Sequence, residues 1–209
     1  MIRIETCRQL AQGTIKTVYQ HPDFEDKVIK TMRPEAIAAD GGFIKHSAFR
    51  RRFFQGVYRQ FRREILQYLQ LVKTTYGRQQ FRFPVETPYG LIGTSEGLGL
   101  VTEKVVAPDG KCWTLHDLAL GPGLEQKHYE ALDRFFEDCI RLHIVFGEVN
   151  SAGLMYTEAR SGKPEFVLVD GIGEKLLIPV RAMSGRINTR NILKIQGRMM
   201  DWLARTQPA

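Results

Sequence analysis

The feature that most constrains this chain is the way its hydrophobic period changes along its length. Over the first 32 residues apolar and β-branched positions alternate with polar ones in RIETCRQL, TIKTVYQ and KVIKTM, separated by a Gly-centred turn and the polar turn HPDFED. Such alternation predicts an antiparallel meander of short strands. After the breaker DGG at 40–42 the period lengthens, and Ile65, Leu66, Leu69 and Val72 predict one long helix from about Ala48 to Thr75. Strands return between 81 and 106, in FRFPVETPYGLIG and GLGLVTEKVVA, with a turn at Thr94 to Gly97. From Leu115 to about Leu142 the pattern is helical, broken at GPG, with Leu132, Phe135, Phe136, Cys139, Ile140 and His143 as one apolar stripe. The segments GLMYTE and PEFVLVDG then flank the turn ARSGK, and Ile192, Ile195, Met199, Trp202 and Leu203 predict a closing amphipathic helix from about Asn188 to Ala204.

The fold class these elements predict is α+β. A β-rich lobe with one long helix occupies 1–106 and a mainly helical lobe with a hairpin occupies 107–209, together a single two-lobed domain. With 43% hydrophobic residues in a chain of 209, there is enough apolar material for a real core. No stretch approaches the roughly 18–20 uninterrupted apolar residues of a membrane helix, and MIRIETCRQL lacks the apolar centre of a signal peptide, so no transmembrane segment and a cytoplasmic location are expected. Cys7, Cys112 and Cys139 are odd in number and widely spaced, which argues against a disulfide framework. The five histidines include no pair at i, i+4 spacing, which argues against a histidine-held metal.

The net charge of +7 is concentrated in FRRRFFQGVYRQFRRE, which carries Arg50, Arg51, Arg52, Arg59, Arg62 and Arg63. Guanidinium groups at that density attract polyanions such as RNA, acidic protein tails or phospholipid headgroups. The interleaved Phe49, Phe53, Phe54, Tyr58 and Phe61 are equally compatible with a helix that buries one side and solvates the other.

Four pieces of phosphate chemistry occur in order. LAQGTIKTVY overlays a glycine-rich loop with Ala11, Gly13 and Lys16 at the three glycine positions and Val18 at the valine. KVIK places Lys30 on a strand, where an ammonium can neutralise α and β phosphates. Glu64 follows on the long helix as the natural carboxylate partner of Lys30. Asp170 stands directly after a hydrophobic strand and before Gly171, the setting of a magnesium-holding carboxylate. Each piece alone has an ordinary reading as turn, strand lysine, solvated helix face or Asp-Gly turn. Together they predict a kinase-type nucleotide site for ATP and magnesium, with Gly13, Val18, Val28, Lys30, Glu64, Glu103 and Val105 as the cofactor-binding set and Asp170 as the metal ligand.

The segments VYQHP, VIK, FRREILQYL, IRLHIV and VDGIGEKLLIPV resemble the bacterial YrbL family of PhoP regulatory network proteins, within the protein-kinase-like superfamily. The D-x-I-G-E-x-x-L-I-P run is matched by Asp170, Ile172, Gly173, Glu174, Leu177, Ile178 and Pro179. The resemblance implies a minimal protein-kinase-like fold, truncated after the hairpin that precedes Asp170. Kinases carry HRDxxxxN in their catalytic loop; the corresponding stretch here is FGEVNSAGLMY, with Glu148 at the catalytic Asp position and Gly153 at the metal-binding Asn position. Asn150, three residues earlier, would substitute only in a rebuilt loop. The implied catalytic candidates are therefore Glu148 and Asn150. No APE-like segment follows Asp170 to grip a peptide.

Three functions compete at this level. The leading one is a pseudokinase-type regulator that binds ATP weakly or not at all and acts through a protein partner. The first alternative is a minimal ATP-dependent kinase acting on a small-molecule, sugar or lipid acceptor, with Glu148 as base. The second makes the arginine-rich helix the working surface, bound to a polyanion, RNA or anionic lipid.

Overall fold

The computed structural model describes residues 1–53, 56–79, 81–174 and 179–207, with Arg50, Arg52 and Phe53 in backbone only. It has a mixed α+β fold that divides into two compact units: Met1–Ile65 with Thr87–Lys104, and Leu66–Glu86 with Val105–Ala209.

In the first unit the alternating segments pair as β1 (Gln9–Gln12), β2 (Lys16–Gln20), β3 (Lys27–Met32), β4 (Pro88–Thr94) and β5 (Gly97–Glu103), an antiparallel sheet in the order β1-β2-β3-β5-β4. The first strand begins later than its sequence suggests. Ile4–Thr6 forms a 3-10 turn, because Ile4 lies over one sheet face with Tyr19, Ile29 and Val101 and its amide donates to Ser95 Oγ at 3.0 Å. The opposite face is covered by Val57 and Phe61, which pack on Met32 and Leu100.

The predicted long helix is two helices, α1 (Ala48–Phe53) and α2 (Arg59–Thr75). Gly56 has φ +26°, and Val57 donates its amide to the Gly41 carbonyl at 2.9 Å; a Cβ on Gly56 would sit 2.8 Å from that oxygen. The DGG breaker thus reaches forward and interrupts the helix that follows it. The inward face of α2 also differs from the predicted one. Leu66 and Leu69 are exposed at 50% and 55%, whereas Phe61, Glu64, Leu71 and Thr75 are buried. The helical period is right: Ile65 and Val72 of the predicted stripe pack against the cores, and the true inner stripe also includes a carboxylate that hydropathy alone rejects.

The second unit contains α3 (Leu115–Leu120), α4 (Gln126–Arg141), the hairpin β6 (Leu154–Thr157) with β7 (Glu165–Leu168), α5 (Val180–Met183) and α6 (Gly185–Thr206). Thr114 and Asp117 cap α3 reciprocally, and the chain breaks at GPG as expected. Residues 81–87 form no strand and make single bridges between Phe83 and Val85 and between Val85 and Leu168. Leu132, Phe136, Cys139, Phe146, Leu168, Ile192 and Leu203 build the core of this unit. His143 leaves the predicted α4 stripe: it follows the helix in the left-handed region, φ +53°. Among the described residues no helix is long and apolar enough to cross a membrane.

Candidate functional site

Strand register places the charged residues of the first unit. Lys16 of β2 pairs with Met32, Val18 with Lys30, and Lys30 of β3 with Leu100 of β5. Residues directly opposite one another share a face, and so do residues two apart. Lys16, Val18, Val28, Lys30, Met32 and Leu100 therefore line one face, the one that Phe61 of α2 covers. Glu64 follows Phe61 by three positions and points the same way. Lys16 Nζ donates to Glu64 Oε1 at 2.9 Å, with both side chains buried. Lys30 is 4% exposed on the same face.

The kinase pattern pairs Glu64 with Lys30 and gives Lys16 the place of a loop glycine. The 2.9 Å bond joins Glu64 to Lys16. The sequence does carry a signal for Lys16, since it lies two residues before Val18 and so on the face of Lys30. Gly13 makes a tight turn: its amide donates to the Lys16 carbonyl at 2.8 Å, and its φ is not positive. Glu103 pairs with Lys27, which register puts on the opposite face. Val105 is buried and belongs to the second unit.

In the second unit two loops are bound backbone to backbone. Gly147 and Glu148 donate their amides to the Gly171 carbonyl at 2.7 and 3.2 Å, Gly173 donates to Val145 at 2.8 Å, and Phe146 bridges Ile172. Gly171 has φ +84°, and a Cβ there would run into the Glu148 carbonyl oxygen. This ladder sets the Glu148 segment beside the Asp170 segment, with both residues exposed. Asp170 Oδ1 accepts from the Gly171 amide at 2.8 Å. Asn150 Oδ1 accepts from the Gly153 amide at 3.0 Å, so this oxygen caps a 3-10 turn. A Cβ on Gly153 would stand 3.1 Å from the Asp170 carbonyl oxygen, which leaves no easy room for the Asn of a kinase loop.

A brace that hydropathy does not reveal holds these loops. Arg181 Nη2 donates to Glu174 Oε1 at 2.7 Å and Nη1 to the Phe146 carbonyl at 2.6 Å, while His143 Nε2 meets the Arg181 carbonyl at 2.8 Å. A planar guanidinium reaches a carboxylate and a carbonyl from two separate nitrogens in a fixed fork, which the single nitrogen of an ammonium does not offer. Glu174 of the D-x-I-G-E run is thus a positioning residue for the Asp170 loop.

The arginine cluster is less open than its sequence suggests. Arg51 donates to Asp40 Oδ2 at 2.8 Å and to the His46 carbonyl at 2.9 Å. The side chains of Arg50 and Arg52 lie outside the described residues, as do Leu177 and Ile178 of the family run. Among the described residues no group of three or more His, Cys, Asp or Glu side chains could hold a metal by itself.

The comparison with curated proteins gives no match. The family model described as PhoP regulatory network protein YrbL matches residues 2–203, nearly the whole chain. The chain belongs to the YrbL family of PhoP regulatory network proteins.

Proposed function

We propose that this protein is a kinase-like regulator of a PhoP network that binds a nucleoside triphosphate without efficient phosphoryl transfer and acts through a protein partner. The observation that carries the reading is that Lys16 and Lys30 on one sheet face and Glu64 of the helix over it are buried together, the grouping of lysine and carboxylate that a kinase-type phosphate site uses. The order of elements supports it too: a strand bearing Lys30, a helix bearing Glu64, then a hairpin ending at Asp170.

The residues fit a nucleotide's phosphates better than they fit a free metal. Lys30 is the group that would neutralise α and β phosphates, and Glu64, held by Lys16, would be the carboxylate that accompanies it. When bound, ATP brings the transferable phosphoryl group and magnesium brings charge neutralisation at it. Asp170 offers one carboxylate, and magnesium is commonly held by one or two carboxylates together with substrate phosphates. Gly153 offers no side-chain oxygen, and Asn150 has committed its own to Gly153. The chain therefore retains the binding half of the chemistry and lacks a ligand that transfer requires.

A γ-phosphate transfer assay tests this directly. The reading predicts no turnover above buffer, with or without Gly153→Asn. Turnover abolished by both Lys30→Ala and Asp170→Ala would overturn it. That result would favour the minimal kinase, to which the exposure of Glu148 beside the Asp170 loop gives support, and Glu148→Gln would then remove activity.

A further inference from the structure

The second unit contains a cavity of about 450 Å³ between α3, the 149–152 loop and α6. That volume falls in the range of small-molecule sites, roughly 300–1,000 Å³. We propose that it binds a small organic oxyanion, a carboxylate or phosphate monoester on an apolar or aromatic body. The proposal goes beyond the nucleotide reading and does not depend on it.

The walls define the ligand's chemistry. His116 of α3 and Trp202 of α6 stack with ring centroids 5.4 Å apart and planes 12° apart, and Ser151 Oγ lies 3.4 Å from His116 Nδ1, joining the loop to this pair. Ile195 and Met199 supply an apolar surface. Arg198 stands three residues after Ile195 and four before Trp202, so all three share one helical face. Its guanidinium makes no hydrogen bond or ion pair among the described residues and is exposed. Asn150 spends its oxygen on Gly153, which turns its amide NH2 into the group available to a ligand. Among the described residues, none that lines the cavity is acidic.

Arg198 and the Asn150 amide are donors only, and no carboxylate of the described lining neutralises the guanidinium from within the cavity. A ligand that complements them brings negatively charged oxygen, while its body packs on Ile195, Met199 and the indole. Small-molecule sites combine such an apolar lining with a few oriented polar groups. Occupancy also ties the 149–152 loop to α6, which links ligand binding to the loop that carries Glu148.

The chain has two tryptophans, so Trp113→Phe leaves Trp202 as the sole indole reporter. This variant is titrated, without nucleotide, with benzoate, phenyl phosphate and uncharged benzyl alcohol. The proposal predicts a saturable change in Trp202 emission with at least one of the anions. Arg198→Ala should weaken that anion by about 10–100-fold, as expected for a hydrogen bond to a charged group. Arg198→Lys should retain part of the affinity, and benzyl alcohol should bind at least about tenfold more weakly than the anion. The stronger of the two anions identifies the headgroup. The proposal is overturned by the absence of a saturable response to either anion, by benzyl alcohol binding as tightly as the anions, or by anion affinity unchanged in Arg198→Ala. Lys30→Ala should leave the titration unaltered, so failure of this site and failure of nucleotide binding are read separately.

Discussion

Lys16 Nζ and Glu64 Oε1 lie 2.9 Å apart, one on β2 and the other on α2, with side-chain exposures of 8% and 7%. Removing one member of a buried pair leaves the other charge uncompensated and typically costs about 3–5 kcal/mol, whereas replacing both by apolar residues is often close to neutral. Glu64→Leu should therefore lower the urea midpoint strongly, and Lys16→Met with Glu64→Leu should recover most of the loss. A double variant as unstable as the single one would mean that the ion pair does not set this cost.

Two glycines with positive φ separate backbone freedom from packing. Gly162 has φ +71° and open space where an alanine methyl would stand, while Gly171 has φ +84° and the Glu148 carbonyl in the way. Gly162→Ala should cost about 1–2 kcal/mol, the left-handed penalty for an L-residue. Gly171→Ala should cost more, because it also separates the Glu148 and Asp170 loops. Urea unfolding of the two variants side by side checks the difference; equal losses would show that the close approach carries no energy.

Much of this architecture is legible in hydrophobic period alone. The strand preceding Asp170 and the closing helix follow from it, because their buried faces are built mainly from apolar side chains, and the strand containing Lys30 follows from its apolar neighbours Val28, Ile29 and Met32 although Lys30 itself is buried. The departures share a cause. The inner face of α2 includes Glu64, which hydropathy assigns to solvent until Lys16 is known to meet it. The split between α1 and α2 depends on Gly56 meeting Gly41, a contact set by tertiary geometry. In the sequence Arg181 is one more basic residue, and its reach to Glu174 and Phe146 emerges only when the loops are side by side.

His128 accepts the Glu125 amide on Nδ1 at 2.8 Å, and burial first of all, then the nearby Lys127 charge, lowers its pKa below the ordinary value. The unfolded chain then takes up a proton near pH 6.5, while the folded chain resists it to lower pH. The stabilisation is present above that pH and is lost as pH falls through the folded pKa. Stability measured between pH 7.5 and 5.5 should fall on acidification, and His128→Gln should flatten that part of the profile. An unchanged slope in the variant would exclude His128 as its source.

Whether Lys30 belongs to a working nucleotide site, the claim on which the proposed function turns, is tested most directly by a thermal-shift titration with ATP, with and without magnesium. A ligand that binds the folded state alone adds RT ln(1 + [L]/Kd), about 2.7 kcal/mol at a hundredfold excess over Kd, which is several degrees in Tm for a chain of this size. The expected result is a magnesium-enhanced rise that is lost in Lys30→Ala and loses its magnesium dependence in Asp170→Ala. No rise at millimolar ATP, or an equal rise in Lys30→Ala, would contradict it.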